Sequence, residues 1–382
     1  MKILHVIAGC WRNSGGPSEV VPNLCKQLQD QGHSVTLLTV EGDHSPAVLA
    51  AKKNGVNLVS LDEKYFASIR FVPSMYRYLK ENIRNFDVVH NHGHWLYPNW
   101  ITLIFCMFYK KPLIATPHGT LVPGMLKKSS WKKFLAWQLF DRKLINYSSV
   151  VHFLSENEQS LSQKKIGHLA SIKSIIIPNG ACNESKALTG DIGRVKTKKT
   201  EMKNLLFMGR VAKIKGINDL LIAWKNLNPK SWTLTIVGPW DHDLCSLKDS
   251  IAKIDSINVI GPIYGQKRFE FLHDADAFIL PSYGEGLPTA LLEAANNSKL
   301  ILCSHECNFN NLEEIGAGYF FPCGYSGVEA SLKWLFSSSY QERAERSSLA
   351  YELACKLYSW ESVGKKWENE YVKVIKNKNC NS

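Results

Sequence analysis

The sequence predicts an α/β protein made of two Rossmann-like, doubly wound parallel sheets. Short β-branched, apolar runs alternate along the chain with longer segments of helical pattern. The alternation is interrupted once, near the middle, by a polar and lysine-rich stretch. A length of 382 residues exceeds one ordinary α/β domain, and a content of 45% apolar residues is enough for two cores.

The first half of the chain contains short, apolar candidate strands separated by helical segments. One helical pattern covers 18–31 and ends at Gly32, and another covers 131–146. Such alternation is typical of a parallel sheet with helices on both faces. The predicted strands are 3–8, 35–39, 56–61, 87–90, 113–116, 150–154 and 172–177.

A domain boundary is predicted within 181–203, where the composition turns polar and basic. A second alternating series follows, which predicts a second Rossmann-like sheet with strands at 205–208, 234–237, 258–260, 277–280 and 300–303. We therefore expect a first domain over 1–180, a linker over 181–203 and a second domain over 204–359. Ligands of open parallel sheets bind outside the carboxyl ends of the strands, so functional residues are expected there.

The formal net charge of +12 favours polyanionic partners, namely nucleic acid, anionic lipid or diphosphate substrates. The basic residues are spread over several segments, and no helix-turn-helix, zinc-finger or RNA-binding motif is recognisable. Nucleic acid is the weakest of the three interpretations, and we expect no nucleic-acid partner.

The cysteines and the apolar runs indicate in which cellular compartment the protein is expected. Ten cysteines occur without a C-x-x-C pair, and the sequence opens on a strand-like run with no apolar signal core. The longest apolar run, 100–109, is half the length needed to cross a bilayer. These features predict a protein of the reducing cytoplasm without a membrane-spanning segment.

The most specific motif is Leu-Pro-Ser-Tyr-Gly-Glu-Gly-Leu-Pro-Thr-Ala-Leu-Leu-Glu-Ala at 280–294. Here a strand ends, a glycine-containing loop turns and a helix starts near Pro288. Glu285 lies on the turn and Glu293 lies in the helix, whose N-terminus offers free N–H groups to a phosphate. The motif predicts an anion site flanked by two acids, and the alternative is a solvent-facing pair of glutamates.

A second motif, Met-Gly-Arg-Val-Ala-Lys-Ile-Lys-Gly at 208–216, follows a strand and precedes a helix predicted over 217–227. Arg210 and Lys215 place two cations at the carboxyl end of that strand. A guanidinium and an ammonium stabilise the charge that a diphosphate gains as it leaves. The alternative is a solvated basic loop.

Two features of the first half are candidate site residues with less support from the local sequence than the two motifs have. Gly15 and Gly16, in the loop after the first strand, allow close approach of the backbone to a substrate, but the loop is not G-x-G-x-x-G and a plain tight turn explains it equally well. His118 follows the strand at 113–116, and a lone histidine in such a position is usually structural.

No metal site is expected. His90, His92 and His94 alternate, but no cluster of carboxylates accompanies them. Other patterns receive structural interpretations: the D-x-D of Asp274 and Asp276 before a buried strand, the ligand-like group Cys303, His305 and Cys307, and a capping box of Ser155 with Glu158.

The motifs at 280–294 and 208–216 resemble those of the family-4 retaining glycosyltransferases, whose signature is a Glu, seven residues and a second Glu after a Pro-Ser turn. The resemblance extends over nearly the whole chain. It implies the GT-B fold, with two Rossmann-like domains facing across a cleft. In that fold the C-terminal amphipathic helix crosses back, so 360–382 would join the first domain.

The resemblance also implies roles for the donor-site residues. Glu293 would hold the donor ribose hydroxyls, and Glu285 would contact the transferred sugar or its leaving diphosphate. Arg210 and Lys215 would stabilise that diphosphate. The sequence departs from the family at Pro288, where many members have a glycine, so amide contacts to the phosphate would come from the neighbouring residues Gly286, Leu287 and Thr289.

In the first domain the family places the loop with Gly15 and Gly16 against the donor phosphates and the acceptor. It carries a histidine at the position of His118 that contacts the acceptor or the transferred sugar.

The implied activity is retaining, metal-independent transfer of a sugar from a nucleotide-diphosphate sugar, which is a substrate, so no cofactor is expected. No residue is an obvious covalent nucleophile, which favours front-face attack. A nucleotide-sugar epimerase of the same fold and a non-catalytic nucleotide-sugar sensor stay open as alternatives. Product analysis and donor turnover distinguish them.

The stretches 116–123 and 177–180 are similar to those of bacterial enzymes that make cell-surface polysaccharides such as lipopolysaccharide, O-antigen and capsule. This implies a glycan acceptor, which we expect to be linked to polyprenyl diphosphate. The helical segment 126–140 combines lysines with Trp131 and Trp137, as in helices that lie on an anionic membrane surface. We expect a peripheral position on the inner face of the cytoplasmic membrane, and the alternative is that this helix packs inside the first domain.

Overall fold

The computed structural model describes residues 1–11, 16–62, 68–122, 134–181, 202–263, 265 and 267–380. The chain forms two compact units, the first made of 1–180 with 360–382 and the second of 181–359. Each unit has its own parallel sheet and its own hydrophobic core. Gly15, the lysines of 127–133 and most of the predicted linker lie outside the described residues.

The first unit contains a parallel sheet of seven strands in the described residues, in the order β3-β2-β1-β4-β5-β6-β7. Apolar residues fill its strands because helices cover both faces of such a sheet. The strands are β1 (Lys2–Ile7), β2 (Ser34–Val40), β3 (Asn57–Leu61), β4 (Val88–His92), β5 (Leu113–Thr116), β6 (Val150–Phe153) and β7 (Ser174–Ile176).

The helices of the first unit follow the expected crossover pattern, and α1 carries a proline at its first position, where no N–H is needed. They are α1 (Pro17–Asp30), α2 (Pro46–Lys53), α3 (Pro73–Asn82), α4 (Tyr97–Phe108), α5 (Arg142–Tyr147) and α6 (Glu156–Lys165). The helix predicted over 131–146 is described from residue 134, and a π-helical segment, Trp137–Asp141, precedes α5.

The second unit repeats this plan with six strands, in the order β10-β9-β8-β11-β12-β13. The strands are β8 (Lys203–Met208), β9 (Trp232–Val237), β10 (Ile257–Ile260), β11 (Ala277–Leu280), β12 (Leu300–Ser304) and β13 (Tyr319–Phe321). The helices are α7 (Ile217–Leu227), α8 (Cys245–Ile251), α9 (Lys267–Asp274), α10 (Thr289–Asn296), α11 (Asn310–Glu314), α12 (Tyr325–Ser337) and α13 (Tyr340–Tyr358).

The last helix, α14 (Trp360–Cys380), belongs to the first unit. Val363, Trp367, Tyr371 and Val374 are buried at helical spacing against that unit's core. A methyl group added at Gly364 would lie 2.6 Å from the side chain of Gln27, so α14 approaches α1 closely at this glycine.

The fold predicted from the sequence is confirmed: two parallel sheets carry alternating helices, and the C-terminal helix returns to the first unit. In both sheets the strand order reverses next to the unit's first strand, which creates a switch point between β1 and β4 and another between β8 and β11. Within the described residues, no helix is both long and apolar enough to cross a membrane.

Candidate active site

The loops that follow β8 and β11 pack directly on each other at the switch point of the second unit. The backbone N–H of Tyr283 donates to the carbonyl oxygen of Ile214 at 2.8 Å, and Ser282 Oγ lies 3.0 Å from the same oxygen. Gly216 has φ +69°, and a Cβ built there would lie 1.9 Å from the carbonyl oxygen of Pro281. Only glycine fits this approach, which fixes the two loops together.

This packing brings Lys215 against Glu285. The ammonium Nζ contacts Oε1 of Glu285, and the two side chains are 20% and 13% exposed. Ser282 Oγ lies 2.7 Å from the same carboxylate oxygen, and the backbone N–H of Glu285 donates to Glu306 O at 3.0 Å. The result is an oriented ammonium at the carboxyl end of the sheet, where ligands of this fold bind.

A second ion pair involves Glu293 on α10. Arg268 Nη2 on α9 lies 2.8 Å from Oε1 of Glu293, and the side chains are 16% and 12% exposed. Arg268 belongs to no sequence motif, and its helix α9 comes before β11 in the chain, so the motif spacing did not single it out. The sequence feature that could have indicated it is a cation on the helix that precedes β11, the strand that leads into the motif at 280–294.

The other predicted donor residues of the second unit lie on the loops after β8 and β11 or at the start of α10. Arg210 is 62% exposed, and its Nη1 lies 3.9 Å from Asp241, so the described structure pairs it with an aspartate. Pro288 precedes the first residue of α10, Thr289, as predicted, and Leu287 is buried. A Cβ at Gly286 would meet no protein atom within 4 Å, so packing inside the described chain does not demand glycine there.

In the first unit, Gly16 lies at the N-terminus of α1, and a Cβ built there would meet no atom of the described residues within 4 Å. His118 follows β5 with φ +53°, a left-handed conformation that is uncommon for a residue with a side chain. Its Nε2 lies 3.0 Å from Nδ1 of His92. Burial is the main cause that lowers the pKa of His118 to about 3, and the neighbouring histidines His152 and His94 contribute to the same shift.

Glu158 holds the loop after His118, a role that the capping-box interpretation missed. Ser155 Oγ does accept from the backbone N–H of Glu158, at 3.2 Å. The buried carboxylate of Glu158 instead accepts from Gly119 N at 2.6 Å and from Leu154 N at 2.8 Å. Burial raises its pKa, although both N–H groups act in the opposite direction. The predicted capping box is therefore confirmed for the serine, whose side chain caps the helix. It was wrong for the glutamate, whose carboxylate binds Gly119 N and Leu154 N.

Two histidines of the H-x-H-x-H pattern stay together in the structure, and the third lies apart. His90 and His92 lie beside His5, with ring nitrogens of the three residues within 4.8 Å of one another, whereas Nδ1 of His94 lies 3.3 Å from Asp141. Asp276 accepts from Asn204 N at 2.7 Å, next to the starts of β8 and β11, which fits its structural interpretation.

The two halves of the chain match two family models. Residues 14–182 match Glycosyltransferase Family 4, and residues 191–350 match Glycosyl transferases group 1. The chain belongs to the GT-B glycosyltransferases. The resemblance inferred from the motifs at 280–294 and 208–216 is thereby confirmed at the level of the family.

Several curated relatives of this glycosyltransferase carry named activities. It is 24% identical over 311 residues to 2-deoxystreptamine N-acetyl-D-glucosaminyltransferase of Niallia circulans, covering 74% of this chain and 77% of that one. It is 27% identical over 307 residues to GDP-mannose:cellobiosyl-diphosphopolyprenol alpha-mannosyltransferase of Xanthomonas campestris, covering 77% and 76%.

Solved structures show the same fold. HepE of Anabaena, crystallised with UDP and glucose, superimposes with a TM-score of 0.75 at 15% identity, covering 98% of this chain and 100% of that one. WaaG, a glycosyltransferase involved in lipopolysaccharide biosynthesis, gives a TM-score of 0.66 at 16% identity, with 95% and 98% covered.

Proposed function

We propose that this glycosyltransferase takes a sugar from a nucleoside-diphosphate donor and transfers it, with retention at the anomeric carbon and without a metal ion, to a glycan acceptor. The observation that carries the donor half is the oriented Lys215–Glu285 pair at the switch point between β8 and β11. An ammonium has three N–H donors, so its contact with Glu285 leaves others for diphosphate oxygens. The HepE structure contains UDP and glucose, and the Xanthomonas relative is named for GDP-mannose, and both support this assignment.

The diphosphate is the group whose charge changes during transfer. As the bond between the anomeric carbon and the diphosphate oxygen breaks, Lys215 stabilises the growing negative charge. The exposed guanidinium of Arg210 can turn toward the same group, and the N–H groups at the start of α10 add to the positive field. These groups supply the charge that a metal ion would otherwise bring.

Glu293 and Arg268 form the second part of the donor site. The resemblance gives Glu293 the ribose hydroxyls of the donor, and its carboxylate can accept from two of them. Arg268 holds one carboxylate oxygen at 2.8 Å, which restricts the rotamers of Glu293 before a donor binds.

The proposed transfer needs no covalent enzyme intermediate. The acceptor hydroxyl attacks the anomeric carbon on the face that the diphosphate leaves, a new C–O bond forms, and the hydroxyl proton passes to a diphosphate oxygen. Glu285 borders the proposed diphosphate site, and its carboxylate is engaged by Lys215 and Ser282, which does not suit a nucleophile. His118 contacts the transferred sugar or the acceptor in this scheme.

The experiment is product analysis by NMR after incubation with nucleotide sugars, an acceptor glycan and a chelator. We expect a product whose anomeric configuration equals that of the donor, formed at the same rate with and without the chelator. Inversion, a requirement for magnesium or manganese, or epimerised donor without an acceptor product would each contradict the proposal.

For the acceptor we propose a glycan linked to polyprenyl diphosphate, used in assembling a bacterial cell-surface polysaccharide such as lipopolysaccharide O-antigen. The Xanthomonas relative is named for such an acceptor. The enzyme would meet it on the cytoplasmic face of the cytoplasmic membrane.

Two exposed apolar helix surfaces support docking on an anionic membrane. On α4, Ile104 and Phe108 are 48% and 74% exposed and lie one turn apart. On the neighbouring segment, Phe134 and Leu135 are 64% and 52% exposed. The ring of Trp100 stacks on Phe140 at 4.6 Å, so the two helices are adjacent. Aromatic and apolar side chains of this kind settle at the headgroup level of a bilayer.

Docking is tested by sedimentation with vesicles containing anionic lipid, at low and high salt. We expect the wild type to pellet at low salt, and variants with Lys127, Lys128, Lys132 and Lys133 changed to Glu, or with Phe108 and Phe134 changed to Ser, to stay in the supernatant. Ile222→Ser removes an apolar residue of the second unit that is 51% exposed, and this variant should pellet like the wild type. Equal pelleting of all variants, or none by the wild type, would point to a soluble acceptor.

A further inference from the structure

The interior of the first unit contains a group of histidines that the motif analysis did not assemble. Four of them lie on strands β1, β4 and β6, and the fifth follows β5. They share one hydrogen-bonded layer beneath α14, where the ring of Trp367 lies 4.5 Å from that of His90. The register pairs His5 of β1 with His90 of β4, which explains why these rings share a face. The group consists of His5, His90, His92, His118 and His152, and all except His118 are fully buried.

One half of the group forms a chain that starts at a backbone carbonyl. His152 Nε2 lies 2.7 Å from Ile177 O, and its Nδ1 lies 2.9 Å from Thr116 Oγ1. Thr116 Oγ1 also lies 2.7 Å from His90 Nε2, and His90 Nδ1 lies 2.7 Å from the hydroxyl of Tyr371.

The carbonyl fixes the direction of every bond in this half. Because Ile177 O can only accept, His152 Nε2 carries a proton, and the Nδ1 of the neutral ring accepts. The single proton of Thr116 therefore goes to His152, and Thr116 accepts from Nε2–H of His90. His90 Nδ1 is then an acceptor, so it takes the proton of Tyr371.

The other half continues from Tyr371 to His118. Tyr371 Oη lies 3.5 Å from His5 Nε2, His5 Nδ1 lies 2.9 Å from His92 Nε2, and His92 Nδ1 lies 3.0 Å from His118 Nε2. Since Tyr371 has donated its only proton to His90, it presents a lone pair to His5, whose Nε2 must be protonated. His5 Nδ1 therefore accepts from Nε2–H of His92, and His92 Nδ1 accepts from Nε2–H of His118. Nδ1 of His118 is left without a proton.

We propose that this chain, anchored at Ile177 O and linked by Tyr371, fixes His118 as a hydrogen-bond acceptor that binds a hydroxyl of the sugar or acceptor glycan through Nδ1. The inference rests on the proposed function for the contact of His118 with substrate. It gives Tyr371, Thr116 and His92 the role of positioning residues. It also makes His118 a group that orients a hydroxyl and takes no proton from it, because burial opposes a charge on this ring and the chain ends on a carbonyl that cannot pass a proton on.

A metal ion is the competing explanation for three histidines this close together. His5, His90 and His92 bring ring nitrogens within 4.8 Å of one another. However, both ring nitrogens of each lie at hydrogen-bond distance from a partner inside the layer, which leaves no lone pair for a metal without breaking the chain.

The test is the tautomer of His118, measured by NMR on protein labelled with ¹⁵N-histidine near pH 7.5, with His118→Gln used to assign the signal. We expect a protonated Nε2 and an unprotonated Nδ1 in the wild type. Tyr371→Phe removes the link between the halves, and we expect protonated Nδ1 of His118 to appear and kcat to fall about 5- to 10-fold. Tyr147→Phe removes another half-buried hydroxyl of the same unit and should change neither quantity.

Thr116→Val and Thr116→Ser form an independent pair, since valine interrupts the chain at constant shape and serine restores the hydroxyl. We expect the valine variant to alter the His118 signal and lower kcat, and the serine variant to recover both. A proton on Nδ1 of wild-type His118, an unchanged tautomer in Tyr371→Phe, or one equivalent of zinc bound to the purified protein would overturn the inference. If the tautomer is as expected but His118→Ala keeps full turnover, the fixed chain is supported and the role of His118 in the proposed function is wrong.

Discussion

Lys215 and Glu285 are seventy positions apart in the chain, yet they meet because their loops leave adjacent strands at the same end of one sheet. Gly216 permits the close contact, and Ser282 and the backbone of Glu285 hold the carboxylate in place. At this scale the proposed chemistry depends on orienting one ammonium group and one carboxylate. Lys213, two residues away on the same turn, is 64% exposed and pairs with Asp243, so it offers a matched control.

Replacing Lys215 with Ala should lower turnover by about 100-fold or more, because a preorganised positive charge next to the leaving group is lost. Lys213→Ala should stay within about 2-fold of the wild type, since an exposed ion pair contributes little. The measurement is initial rates of nucleoside-diphosphate release at saturating donor. Equal activity of the two folded variants would remove Lys215 from the proposed site.

The Arg268–Glu293 pair should behave as one unit in a double-mutant cycle. We expect Glu293→Ala to lower turnover by about 100-fold, and Arg268→Ala to raise the donor KM about 10-fold because Glu293 is no longer held. The double variant should be little worse than Glu293→Ala. Lys267→Ala, which changes the exposed neighbour of Arg268, is the control. Fully additive effects would show that the two side chains act separately.

The sequence predicted the site residues that lie inside the two motifs. It did not predict a site residue that lies outside them. Glu285, Arg210 and Lys215 follow strand ends, and Glu293 lies in the helix that follows one, so periodicity locates all four. Arg268 could not be found in this way, because its contact depends on how α9 packs beside α10.

At the scale of elements, most boundaries followed from apolar periodicity. The helix predicted over 217–227 is confirmed by α7, and β5 and β11 have the predicted bounds. The strand β13 was missed because three residues are too few to show alternation. The π-helical segment before α5 was also missed, since it depends on hydrogen-bond geometry that composition does not encode.

Gly216→Ala should destabilise the second unit by about 2–4 kcal/mol, because the added Cβ clashes with Pro281 O and the residue has positive φ. Gly261→Ala is the control, since its Cβ would meet no atom within 4 Å in the part of the chain that the structure describes and its φ is ordinary. Urea unfolding followed by tryptophan fluorescence measures both. A variant at Gly216 as stable as the control would mean that the two loops separate at little cost.

At the scale of the molecule, one strand order is used in both units, and the switch point of each lies beside its candidate residues. The repeated alternation of strands and helices was sufficient to predict this plan. The histidine layer of the first unit was not predicted, because His5, His90 and His152 lie far apart in sequence and meet only when β1, β4 and β6 enter one sheet. His118 and His92 were each noted in the sequence, but the hydrogen bond between them was not predicted.

The first unit should lose stability in mild acid. Burial lowers the pKa of His5 to about 3 and that of His152 to about 4, and it holds the pKa values of His90 and His92 well below 6.5. Below pH 6.5 the unfolded chain therefore binds protons that the folded unit does not. Stability is fully present above that pH and falls toward pH 4 by about 1 kcal/mol per pH unit for each of these histidines.

Scanning calorimetry at pH 7.5 and pH 5.0 measures this loss. We expect one thermal transition to move to a much lower temperature at pH 5.0. Changing the exposed His273 and His305 to Gln should leave that shift in place. A stability independent of pH between 5 and 7.5 would mean that the histidine layer accepts protons while folded.

The central claim is that the second unit binds a nucleoside-diphosphate sugar through the switch-point site built around Lys215. Calorimetric titration with UDP, GDP, ADP and dTDP tests it most directly, using the wild type, Lys215→Ala and Lys213→Ala. We predict that at least one nucleoside diphosphate binds the wild type and Lys213→Ala equally, and binds Lys215→Ala about 10-fold or more weakly. Binding of none of the four, or equal binding by all three proteins, would contradict the account.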